Sequence, residues 1–145
     1  MIQHQVTIHI NRPVEQVFAF LADSKNLRAW QSGLVENKQL TEGSIGVGTR
    51  FREVRRTGPR QSEIQAEITD FEPNKYFATK TLTKPQVTVS YTFENENGGA
   101  RLTYKFVMIT SGFMRLLEPV IASSIKKDSD SDYEKLKHIL EHQAS

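Results

Sequence analysis

Glu53 and Arg55 are a carboxylate and a guanidinium, two groups able to act together on a small molecule. They stand two positions apart in "RFREVRRT", a run that reads as a strand, so their side chains share one face and their long stems can meet. An arginine in such a place offers a permanent charge and a planar fork of donors to a carbonyl, hydroxyl or carboxylate. A glutamate beside it either holds the arginine or moves a proton as a general base. The competing reading shifts the phase of the strand and leaves both charges in water.

Other motifs fail on their own mechanics. "GSIGVGTRF", Gly43 to Phe51, has P-loop spacing, but Thr49 stands where the phosphate-binding lysine belongs and a strand follows instead of a helix. A dinucleotide fingerprint fails too, with Phe51 in place of the third glycine. The glycines read as a tight turn or bulge between strands. "HILEH", His138 to His142, matches a zinc-peptidase pattern, yet such a site needs a further ligand and only three residues follow. "DSDSD", Asp128 to Asp132, begins like a calcium loop but continues with Tyr133 at the sixth position and Ile139 at the twelfth; Ser131 and Glu134 there also fit a capping box. With no cysteine, thiolate chemistry, disulfides and cysteine-held zinc are excluded. No metal and no cofactor are expected, and no catalytic residue is assigned.

Arg50, Arg52, Arg55, Arg56 and Arg60 form the densest basic cluster. Strand alternation divides them between two faces, and Glu53 and Glu63 dilute their field, so no nucleic-acid partner is expected. A net charge of +2 across 145 residues points the same way. With 37% apolar and 25% charged residues the composition is that of an ordinary globule. "MIQHQVTIHI" alternates where a secretory signal would run apolar, which predicts a cytoplasmic protein without integral membrane association.

The elements that must position these side chains follow from periodicity. Val6, Ile8 and Ile10 alternate with polar residues and predict a strand. "RPVEQVFAFLAD" predicts a helix with Pro13 at its start, and Asp23 caps a second short helix through Asn26, Leu27 and Trp30. From Leu34 to Thr110, runs rich in Val, Ile, Thr, Tyr and Phe between turn residues predict about six strands joined by hairpins. Gly112 to His142, with Leu116, Leu117, Ile121, Ile125, Leu136, Ile139 and Leu140 at helical spacing, predicts one long final helix.

That order, with "INRPVEQVFAFLAD" (10–23), Trp30, "GVGTRF" (46–51), "ITDFEP" (68–73), "GGARLTY" (98–104) and "LKHILE" (136–141), resembles the START-like, or SRPBCC, superfamily and in particular its polyketide cyclase/dehydrase-like branch. The resemblance implies an α+β helix-grip fold in a single domain, 1–145. A curved antiparallel sheet of about seven strands would wrap the C-terminal helix, with two short helices after the first strand. It also implies an internal cavity between sheet and helix. On the strand after the glycines it turns Phe51, Glu53 and Arg55 inward, and it puts Trp30 beside the cavity entrance.

Alternation then supplies the remaining walls: Ile64, Ala66 and Ile68; Val89, Tyr91 and Phe93; Leu102, Tyr104, Phe106 and Met108. On the last helix Ser129 and Asp132 fall close to the face defined by Ile125 and Leu136, so polar groups interrupt the inward stripe; a polar break or a helix locally rotated after Pro119 is the competing reading. For any one aliphatic residue the plainer reading is that it fills a core. Buried tyrosines say more, because each hydroxyl needs a partner. The candidate ligand-binding set is therefore Trp30, Phe51, Glu53, Arg55, Ile68, Tyr91, Tyr104, Phe106, Ile125 and Ser129. Two functions remain: a carrier for a small hydrophobic, ring-containing or acyl molecule, or a cyclase or dehydratase with Glu53 and Arg55 as its acid/base pair. A homodimer is left open.

Overall fold

The computed structural model describes residues 1–143. Seven strands, β1 (Ile2–Ile10), β2 (Leu34–Gln39), β3 (Arg50–Thr57), β4 (Arg60–Glu72), β5 (Tyr76–Thr81), β6 (Val87–Glu96) and β7 (Gly99–Met108), form one sheet. Their order is β1-β7-β6-β5-β4-β3-β2, and every neighbouring pair is antiparallel. Consecutive strands from β2 to β7 are hairpin neighbours, and only β1 crosses to the far edge. Register shifts between Leu34 and Glu36 and between Ile68 and Asp70 insert the irregularities that bend a sheet.

Between β1 and β2 lie α1 (Val14–Ala22) and a 3-10 helix (Ser24–Ala29). Pro13 precedes the first helical residue, where its missing N–H is no loss. The Asp23 carboxylate accepts from the Lys25 amide at 3.0 Å and starts the second turn.

The final segment differs from the sequence expectation of one continuous helix. Gly112–Leu117 is a 3-10 helix, and α2 runs only from Glu118 to Glu141. Pro119, which cannot donate within a helix, takes a place in the first turn of α2 and sets the break. Leu116 and Leu117 consequently leave the apolar stripe; Leu116 is 75% exposed. Ser131 and Glu134 lie inside α2, so the expected capping box does not form.

The core gathers at one end of the sheet's concave face. Phe18 of α1 meets Phe71, Phe77 and Phe93 edge-on, with ring centroids 5.0–5.7 Å apart. Leu136 and Leu140 of α2 are sealed against Ile10, Val17 and Leu102. The C-terminal half of α2 is also tied to the β1 end of the sheet. Arg12 Nε donates to the Leu140 carbonyl at 2.7 Å, Lys137 donates to the His9 carbonyl, and the Asn11 amide donates to Glu141 at 2.8 Å. Farther toward its start, α2 presents Ser129, Ile125 and Asp128, which are smaller or shorter than the Tyr and Leu below them. Space is left there between helix and sheet.

Candidate functional site

That space is a pocket of about 400 Å³. Its floor comes from alternate residues of the central strands: Phe51, Glu53 and Arg55 on β3, Ile64, Ala66 and Ile68 on β4, Tyr91 on β6, and Tyr104, Phe106 and Met108 on β7. Ile125, Asp128, Ser129, Asp132 and Tyr133 of α2 form the roof. All ten candidate residues named from the sequence stand in this wall. Phe93 and Leu102, expected on the same faces, belong to the packed core beside it.

Period-2 alternation places the β3 charges. Arg52 turns to the convex face, where it pairs with Glu36 and Glu63. Glu53 and Arg55 turn to the pocket, and Arg55 Nε donates to Glu53 Oε2 at 3.1 Å. The guanidinium also donates through Nη2 to Gln31 Oε1 at 2.6 Å.

Gln31 belongs to a strap of three residues that fastens the sheet to α2. Trp30 lays its ring 5.1 Å from that of Tyr133. Gln31 holds Arg55, and Ser32 donates from its amide and hydroxyl to Asp132 Oδ1 at 3.1 and 2.8 Å. Trp30 is 1% exposed and belongs to the pocket lining. Its close partner Tyr133 is a residue not foreseen as part of the site.

Three tyrosines make the polar part of the roof and floor. Tyr133 donates its hydroxyl to that of Tyr91 at 3.3 Å, and the Tyr104 ring lies 4.6 Å from that of Tyr133. Burial pushes Tyr91 up to about 12, an effect that the Tyr133 hydrogen bond and the nearby Arg55 charge partly offset. Tyr104 and Tyr133 are raised as well, again chiefly by burial, with the Ser129 hydroxyl partly offsetting the shift at Tyr104. All three are neutral hydrogen-bonding groups at physiological pH. Half-buried Asp132 is raised by desolvation, against which its two bonds to Ser32 act.

Tyr133, Gln31, Ser32 and Asp128 were missed as site residues. Tyr133 had a signal, since it follows Ser129 by four residues and precedes Leu136 by three, on the same helical stripe. Gln31 and Ser32 lie between elements, where no periodicity reports direction. Within the glycine stretch three amides are engaged by the protein itself: Gly48 N donates to Ile68 O at 2.9 Å, Thr49 N to Gly46 O at 3.1 Å and Gly46 N to the Thr49 hydroxyl at 3.0 Å. The His138 and His142 rings pack 4.1 Å apart at the end of α2, and among the described residues no group of three or more His, Asp or Glu is placed to hold a metal. No described helix is long and apolar enough to cross a membrane.

The fold recurs in solved structures. TTHA0849 from Thermus thermophilus superimposes with a TM-score of 0.83 at 15% identity, covering 99% of each chain. CV1439 from Chromobacterium violaceum gives 0.73 at 13% identity over 97% of this chain and 98% of its own. The di-domain ARO/CYC BexL from the BE-7585A biosynthetic pathway gives 0.75 at 16% identity, covering 98% of this chain and 50% of BexL. A search with the sequence finds no match among curated proteins. The polyketide cyclase/dehydrase and lipid transport family matches residues 1–141. With a seven-stranded antiparallel sheet curved about a C-terminal helix and a match over nearly its whole length, the chain belongs to that family and has its helix-grip fold.

Proposed function

We propose that the protein binds a small hydrophobic molecule, ring-containing or acyl, between the sheet and α2. The observation that carries this reading is a pocket of about 400 Å³ whose floor is mostly aliphatic and aromatic, with a few polar groups gathered at Arg55, Tyr91 and Tyr104. That is the usual composition of a ligand site: apolar area for affinity and a few polar groups for orientation. Trp30, Phe51, Ile68, Phe106 and Ile125 supply the apolar contacts, and Glu53, Arg55, Tyr91, Tyr104 and Ser129 the orienting ones.

The test uses N-phenyl-1-naphthylamine as probe, followed through its own emission and through quenching of Trp30. Wild-type protein is expected to bind it. Ala66→Phe, which fills the floor, is expected to weaken binding about tenfold or more while the melting temperature holds. Equal affinity for the two proteins would remove the pocket from the reading. Native mass spectrometry of freshly purified protein then identifies what it carries.

A second reading, a ring-closing or dehydrating enzyme, is favoured by the presence of Arg55, Tyr91 and Tyr104 together in the pocket floor. Such donors would stabilise a developing oxyanion. Glu53 would be its base, although the carboxylate is already engaged by Arg55. Glu53→Gln should then abolish turnover of a poly-ketone substrate and leave its binding largely intact.

A further inference from the structure

The charged groups around the pocket are unequal in number and in what they are bound to. Three carboxylates, Glu53, Asp128 and Asp132, line it against one guanidinium, Arg55. Neither Lys nor His is in the lining. Glu53 at 3.1 Å balances the charge of Arg55, and Gln31 at 2.6 Å takes up another of its donors before any ligand arrives. Lys135 offsets the charge of Asp132 only from a distance, and Asp128 and Asp132 have no ion-pair partner of their own. They stand one helical turn apart on α2, and among the described residues no Lys, Arg or His nitrogen lies within 4.0 Å of either. Lys126, on the same helix, is spent on Asp130 at 2.6 Å. Ser32 supplies two neutral donors to Asp132, which leaves the net charge unchanged.

Resting on the reading that this pocket binds a hydrophobic molecule, we infer that it selects a ligand whose polar end donates hydrogen bonds, a hydroxyl or a protonated amine, and rejects a carboxylate of the same size. A donating end meets the free acceptor positions of Asp128 and Asp132. A carboxylate entering the same space meets the like charge of half-buried Asp132, where such a juxtaposition is most unfavourable, and more weakly that of exposed Asp128. Its one cationic partner is shared with Glu53. The class that fits is a phenol, alcohol or amine on a ring system, not a free fatty acid or an aromatic acid.

Three naphthalenes of nearly equal size separate these cases: 2-naphthalenemethanol, 2-(aminomethyl)naphthalene and 2-naphthoate, titrated by calorimetry at pH 7.5 and low salt. The alcohol and the amine are expected to bind about tenfold or more tightly than the naphthoate. The amine separates from the alcohol at higher salt, because only its attraction is screened. Asp128→Asn removes one charge at an exposed position and is expected to narrow the gap severalfold; Asp132→Asn, which still offers Ser32 an acceptor, tests the second. Naphthoate binding as tightly as the alcohol, or a gap unmoved in both variants, overturns the selectivity and leaves the binding reading standing. If none of the three binds, the binding reading falls and the selectivity with it.

Discussion

At the residue scale, Glu53 and Arg55 show what alternation can and cannot deliver. Their common face was legible from a spacing of two. The direction of that face was not, because two charges on a strand ordinarily argue for solvent, and only the resemblance turned them inward. The structure adds Gln31, and with it a reason the pair persists: both charges are held in a half-buried place. Removing one member leaves the other uncompensated, which is worse than removing both. Arg55→Met is therefore expected to lower stability by about 1–2 kcal/mol, read as a shift in the urea midpoint at pH 7. Adding Glu53→Gln should recover part of that loss. A double variant less stable than the single one would show that the pair contributes nothing to the fold as a pair.

At the scale of elements, the strands, α1 and the turn after it follow from apolar period and turn residues. The long C-terminal helix does so only in part. Its periodicity runs back through Leu116 and Leu117, but Pro119 ends the helical hydrogen bonding there, and backbone chemistry overrides the pattern. The strap from Trp30 to Ser32 was illegible for a different reason, since its role lies in what it bridges: Arg55 on the sheet and Asp132 and Tyr133 on α2. Gly33 makes its exit possible. It has φ of +79°, its carbonyl accepts from the Arg56 amide at 2.7 Å, and a Cβ there would lie 2.8 Å from the Arg56 oxygen. Gly33→Ala is expected to reduce stability by about 1–3 kcal/mol and to blunt any Trp30 emission change on probe binding. A variant with unchanged melting temperature and an unchanged emission response would show that the strap tolerates displacement.

At the scale of the whole molecule, stability should depend on alkaline pH through the tyrosine cluster. In the unfolded chain these phenols titrate near 10, whereas in the fold Tyr91 is raised to about 12 and Tyr104 and Tyr133 are raised with it. Below pH 10 both states keep their protons, and the full stability is present. Above it the unfolded chain releases protons that the fold retains, so stability falls as pH rises toward the folded values. Each such tyrosine contributes a slope of about 1.4 kcal/mol per pH unit in that window. Urea midpoints measured from pH 9 to 12 should drop steeply, and less so in Tyr133→Phe; a flat profile would contradict the burial of these hydroxyls. The sheet order carries one more consequence, for synthesis. β1 has a single neighbour in the sheet, β7, where Ile10 meets Ala100 and Ile2 meets Met108. At translation rates of about 5–20 residues per second, roughly 5–20 s separate the appearance of β1 from that of its partner. During that interval Val6, Ile8 and Ile10 have no sheet to join, and α2, which also packs on β1, emerges later still. Of the seven strands, the one made first is the last to be enclosed, so the nascent chain exposes this apolar strand for almost the entire time the ribosome takes to make the sheet.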